Sequence, residues 1–353
     1  MRGRLPSDLF ERTAEESARL LALKYLDEID RAKPRLSDPG DAEALHDFRV
    51  GLRRLRSCLR AYRGPLKGSV SRKMREKLRD LMQATNSGRD TEVQLAWLGK
   101  QGERIGPGDI QGYFWLTGKL EGRKNDSLDQ DISEVARRYT RDAARLRRRL
   151  GVLRLRVAIG SAHQPLSFGK VTGDLITEHV AQLRSDLVQI RDVRNIKEIH
   201  QARIAVKRLR YLLEPVARSN RRARAVVSRL KVAQDLLGEH HDLQVMLEAI
   251  ALARARLSTS DANLVATLSP GVEKVEQLAR ERAEAAFEQF NSLLGAELAS
   301  RIISRAEEVG GSLSKGRSGA AYTQSPLEPP FIGNENGAHR AIPAAEPVPS
   351  NNN

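Results

Sequence analysis

The chain has 353 residues, with 60 Lys and Arg against 45 Asp and Glu and a formal net charge of +15. That length suits about two domains or one duplicated one, and it can bury a substantial core without covalent staples. A balance this basic points to a polyanionic partner, while aromatics at 4% are few for a protein that reads single-stranded bases by stacking.

Helical periodicity dominates and no convincing strand alternation is found, so the fold class is all-α. In chain order the predicted helices are 7–32, 42–63, 69–85, 89–101, 108–120, 126–158, 169–192, 196–219, 221–237 and 240–257. A C-terminal helical stretch follows from about 260 to 308. Lys33-Pro34, Ser37-Asp38-Pro39-Gly40 and Gly64-Pro65 supply breaks. Past Gly310 the composition turns to Gly, Ser, Pro, Ala and Asn, and residues 311–353 are expected to form a disordered tail.

Cys58 is the only cysteine, which excludes an intrachain disulfide and a thiolate metal cluster; on an apolar helix face it is expected to be a buried structural thiol. The opening MRGRLPSDLFERT has no apolar signal region, and arginines break the best candidate span, Leu146–Ile159. No membrane insertion is expected, and a reducing cytoplasm is the simplest setting.

A repeat organises the chain. HDFRVGLRRLRSCLRAY from His46 aligns with HQARIAVKRLRYLLEPV from His200 at an offset of 154 residues. His46 falls on His200, Arg49 on Arg203, Arg53 on Lys207, Arg54 on Arg208 and Arg56 on Arg210. The next helices repeat at an offset of 152, Leu78–Val93 on Leu230–Val245, placing Arg79 on Lys231, Arg89 on His241 and Asp90 on Asp242. Asp41 and Asn195 are expected N-caps, with Glu198 completing a capping box. Two matches in the same order read as a duplication, with halves of about 7–158 and 169–308.

At roughly 100° per residue, positions i, i+3, i+7 and i+10 share one side of a helix. In the first copy these are His46, Arg49, Arg53 and Arg56, continued by Arg60; in the second they are His200, Arg203, Lys207 and Arg210, where Glu214 replaces the last cation. Leu45, Phe48, Leu52, Leu55, Cys58, Leu59 and Tyr62 take the other side, matched by Ile199, Val206, Leu209, Leu212, Leu213 and Val216. A solvated face ordinarily mixes signs, whereas this one stacks like charges. Two such helices facing across a cleft would suit a linear chain of phosphates, with Arg72, Arg75, Arg79, Arg89, Arg224, Lys231 and His241 as further donors. Arg54 and Arg208 lie at the margin, where a salt bridge to another helix competes with a binding role. A dense anion beside His46 and His200 is expected to favour their protonation, strengthening binding toward pH 6.

At H-x-x-R-V-x-x-R-R-L-R (His46–Arg56), H-x-x-R-I-x-x-K-R-L-R-Y (His200–Tyr211) and the R/H-D-x-x-V turn after each following helix, the sequence resembles the CHAD family. The resemblance covers a domain of about 1–310. It implies two similar helical-bundle halves around a basic central pore that binds inorganic polyphosphate. It also implies association with bacterial polyphosphate granules; some members are fused to triphosphate-processing CYTH domains. The second copy departs from the pattern with His240-His241-Asp242 in place of Ser87-Gly88-Arg89-Asp90.

Three other readings compete. The same basic surface suits nucleic acid, although no base-reading module is recognised. A metal-dependent phosphohydrolase would need carboxylates gathered by the fold, and the sequence shows neither a Walker A motif nor an E-x-E-x-K signature. Glu239-His240-His241-Asp242 invites a metal reading without any second ligand cluster, and His163 and His179 read as ordinary helix or surface residues. The expectation is therefore a non-catalytic polyanion binder without metal or cofactor.

Overall fold

A computed structural model describes residues 5–38, 41–85, 89–128, 132–152 and 165–315. The described residues form α1 (Ala14–Ala32), α2 (Ala42–Ala61), α3 (Arg72–Ala84), α4 (Arg89–Gln101), α5 (Ile110–Leu128) and α6 (Ile132–Gly151). They continue as α7 (Phe168–Gln189), α8 (Ile196–Leu213), α9 (Arg221–Leu257), α10 (Ala262–Leu293) and α11 (Ala296–Ser314). Their only β feature is one isolated bridge, between Thr13 and Ser167. The fold is all-α.

That bridge ties two helix starts together. The Thr13 hydroxyl accepts from the Glu16 N–H at 3.3 Å, and Ser167 accepts from the Lys170 N–H at 3.1 Å. Between them, Ala14 N–H donates to the Leu166 carbonyl and Phe168 N–H to the Arg12 carbonyl. Donors that a helix N-terminus leaves orphaned are thus satisfied on both chains.

Several predicted boundaries move. The segments 221–237 and 240–257 are one 37-residue helix, because Gly238 continues it between the buried Leu237 and His240. A single interior glycine costs only about 1 kcal/mol, less than packing returns along such a length. The C-terminal stretch divides at Leu294-Gly295, and α11 runs through Gly310-Gly311 to Ser314, into the residues assigned to the tail. Residues 316–353, with the rest of that tail, lie outside the described residues, as does His163. The first helix starts at Ala14 rather than Ser7, and α8 stops before Pro215.

The Asp41 cap holds, its carboxylate accepting from the Glu43 N–H at 3.2 Å. Asn195 does not cap α8. Its side-chain oxygen turns back to accept from the N–H groups of Arg191 and Asp192, both at 3.0 Å, so the box with Glu198 is not formed. Asn prefers such local turn bonds when the preceding loop offers free donors.

The large apolar core draws on both repeats at once, with Phe48, Leu52, Leu55 and Leu59 of α2 in one cluster with Val206, Leu209 and Leu213 of α8. Those four α2 side chains are fully buried and contribute on the order of 1.5–3 kcal/mol each. That gain lets the opposite face of the helix carry mutually repelling cations. A second cluster unites Leu98 of α4 and Leu116 and Leu120 of α5 with Met246 and Ile250 of α9 and Val272 and Val275 of α10. The hydrophobic clusters therefore interleave the two sequence halves rather than following them.

Close helix crossings fix this arrangement. A Cβ on Gly271 would lie 1.9 Å from the Asp109 carbonyl oxygen, and one on Gly112 would lie 2.1 Å from that of Leu268, so α5 and α10 meet backbone to backbone. At the crossing of α7 and α11, a Cβ on Gly173 would lie 2.4 Å from the Gly310 carbonyl oxygen. The latter seats α7 beside the central cavity.

Candidate functional site

A cavity of about 860 Å³ opens between the two repeated helices. Arg53, Arg54, Arg56, Arg60 and Arg63 line it from α2 and the turn after it, Arg72, Arg75 and Arg79 from α3, and Lys207 and Arg208 from α8. Among the described residues only two carboxylates, Glu76 and Glu178, share the lining. Glu76 is paired with Arg72 at 2.7 Å. Leu21 and Tyr25 of α1 and Leu175 of α7 complete the wall. The amphipathic pattern positions these cations, since burying Leu52, Leu55, Cys58 and Leu59 turns Arg53, Arg56 and Arg60 to the opposite side.

The lining is electrostatically crowded. Burial, then repulsion by Arg203, Arg53, Arg56 and Arg208, brings the Lys207 ammonium down to about 8. Burial together with Arg79 and Arg60 lowers Arg56, and burial together with Arg60 lowers Arg208. Lys207, Arg56 and Arg208 are thus destabilised as cations by burial and by their neighbours, which prepares the cavity for an anion.

Beyond Lys207 the basic line continues in a second group. The rings of His200 and His241 lie 5.2 Å apart. Burial and Arg203 lower His200, while burial, Arg203 and His200 take His241 down to about 4. Both imidazoles are thus disfavoured as cations in the absence of an anion. Burial and Arg53 lower Arg203, opposed by Asp242 and Asp90. These two aspartates, which the repeat aligns with each other, thus temper the charge of this group.

Other predicted residues fall elsewhere. Arg49 is buried and donates to the Thr85 carbonyl at the end of α3, so it closes a helix terminus instead of lining the cavity. Arg210 is also buried, bonded to Gln234 at 3.0 Å, paired with Glu214 at 2.8 Å and stacked 4.7 Å over the Tyr211 ring. Arg54 lines the cavity, but Glu214 at 3.1 Å and Glu28 at 4.0 Å engage it. Burial works against its charge, yet Glu214 and Glu28 outweigh burial and hold its pKa above the usual arginine value. Arg224 and Lys231 are exposed on α9 away from the lining, Arg224 donating to the Ala217 carbonyl at 3.3 Å. His46 is half-buried near the start of α2, outside the lining. Arg89 opens α4, and its side chain lies outside the described residues.

Arg63, His179 and Tyr25 are among the lining residues that escaped the sequence reading. Arg63 lies ten residues past Arg53, the spacing that already picked out Arg56 from His46, and so was available from periodicity. His179 lines the cavity from α7, lowered by burial and by Arg208 and Arg60. Nothing local marks it or Tyr25, because their place depends on how α7 and α1 pack. The Glu239-His240-His241-Asp242 run has a packing explanation instead of a metal one. Glu239 pairs bidentately with Arg282 at 2.6 and 2.7 Å, and His240 is buried 6.1 Å from the Phe287 ring. Among the described residues no three His, Cys, Asp or Glu side chains are grouped to hold a metal, and no helix is long and apolar enough to cross a membrane.

Two solved structures share the fold. The CHAD domain from the plant Ricinus communis superposes with a TM-score of 0.57 at 22% identity, covering 87% of this chain and 96% of that one. PptA from Streptomyces chartreusis gives a TM-score of 0.59 at 18% identity, covering 80% and 99%. No curated protein matches the chain. The CHAD domain model matches residues 21–251, from within α1 to within α9, and so spans every helix that walls the cavity; the chain belongs to the CHAD domain family.

Proposed function

We propose that the protein binds inorganic polyphosphate in the central cavity without transforming it. One observation carries this reading: among the described residues ten cationic side chains line the cavity against two carboxylates, and one of those is already paired. A polymer charged at every unit and lacking bases complements such a wall. Guanidinium groups of Arg53, Arg56, Arg60 and Arg79 would grip its oxygens, and release of condensed counterions would make affinity fall steeply with salt. The described lining is dominated by cations that grip the polymer, which favours retention over hydrolysis. The same chemistry would bring the protein to polyphosphate granules.

Competition at matched salt tests the reading. Labelled long-chain polyphosphate is displaced by unlabelled polyphosphate, duplex DNA or RNA, each at equal phosphate concentration. Polyphosphate should compete best, and R53E/R56E/K207E should abolish binding with helicity intact by circular dichroism. Displacement by DNA at equal phosphate, or unchanged affinity in the triple variant, would overturn it.

A further inference from the structure

The helix α3 carries cations on two faces. Arg72, Arg75 and Arg79 point into the central cavity, but Lys73 and Lys77 turn the other way, toward α6. There a second hollow of about 120 Å³ is lined by Ser71, Lys73, Lys77, Asp142, Arg145 and Arg149. Leu78 borders both hollows, so only the thickness of one helix, about 10 Å, separates them.

We propose that this groove between α3 and α6 is a second phosphate-binding track, continuing the path of one polyphosphate chain out of the cavity and around the start of α3. The inference rests on the polyphosphate reading of the cavity. Four cations face one carboxylate in the groove. Asp142 is engaged by Lys77 at 2.9 Å, and Arg149 is anchored by donating to the Ser69 carbonyl at 2.9 Å. Among the described residues no ion pair claims Lys73 or Arg145. Two fixed cations therefore frame two available ones. Arg72, which lines the cavity with its side chain 88% exposed, is flanked in sequence by Ser71 and Lys73 of the groove, so the two linings meet at the start of α3. A hollow of 120 Å³ falls well below the roughly 300 Å³ at which drug-sized ligand pockets begin. At that size it suits phosphate units in single file better than a stacked base or a duplex.

The track predicts a dependence on chain length. Short-chain polyphosphate would be held by the more densely charged cavity alone, whereas long chains would engage both hollows. The test compares the full-length protein with K73Q/R145Q, two exposed substitutions, by titration of short- and long-chain polyphosphate over a salt series. Long-chain affinity should fall about tenfold and its log–log salt slope should shrink by about 1.4, near 0.7 for each lost phosphate contact. Short-chain affinity should be unchanged. Unaltered long-chain binding would overturn the track, and so would equal losses for both lengths, which would mean that the two cations act only through the general field. Wild-type protein that binds neither length would instead overturn the polyphosphate reading itself, and tight short-chain binding would preserve that reading even if the track failed.

Discussion

Lys207 is where the demands of binding and of stability collide most directly. Its ammonium is half-buried among Arg53, Arg56, Arg203 and Arg208, and its pKa falls from 10.5 to about 8. At about 1.4 kcal/mol per pH unit, that drop bounds the cost of holding it charged at about 3 kcal/mol. Solvent in the open cavity screens part of this, leaving about 1–2 kcal/mol. Lys207→Met keeps the length and flexibility of the side chain and removes its charge. The variant should therefore be more stable than wild type at pH 7 by about 1–2 kcal/mol while binding polyphosphate several-fold more weakly, a trade of function against stability. Between about pH 8 and 10.5 the unfolded chain retains a proton that the folded chain has released, so wild-type stability rises with pH in that window. Below about 8 both states are protonated and the whole penalty is present. Urea denaturation of both proteins at pH 7 and pH 10 should show the gap at the lower pH and its closure at the higher. A variant no more stable at pH 7, or a gap that does not change with pH, would refute the crowded-cation argument.

Two further outcomes follow from named contacts. Glu214 holds Arg54 and Arg210 at 3.1 and 2.8 Å, so Glu214→Gln should free cationic charge at that end of the cavity, raise polyphosphate affinity about threefold to tenfold and lower stability by about 1–3 kcal/mol. Parallel titration and thermal melts would check it, and a loss of affinity would mean that Glu214 positions Arg54 for the ligand. Gly271→Ala would place a Cβ against the Asp109 carbonyl and should cost about 1–3 kcal/mol or more, whereas Gly118→Ala, with open space around it, should stabilise by about 0.5–1 kcal/mol. Equal urea midpoints for the two variants would show that the α5–α10 crossing is not close.

The sequence alone determined the local layer of this protein. Apolar spacing from Phe48 to Tyr62 and from Ile199 to Val216 decided which faces of α2 and α8 are buried, and that alternation turned Arg53, Arg56, Arg60 and Lys207 to the other side. Periodicity acts within a single helix, so it can be read from one chain segment. It could not tell which cations stay available, because that depends on groups far along the chain. Arg49 meets the Thr85 carbonyl, and Arg54 meets Glu214, 160 residues away. Arg56 and Arg210 occupy equivalent repeat positions, yet one lines the cavity and the other is locked to Gln234 and Glu214. Tertiary structure also decided that α7 would bring His179 into the wall, through a glycine crossing with α11 that leaves no mark near the histidine itself. An isolated helix fixes the direction of its charges, and only packing against distant carboxylates and carbonyls settles which of them remain to hold a ligand.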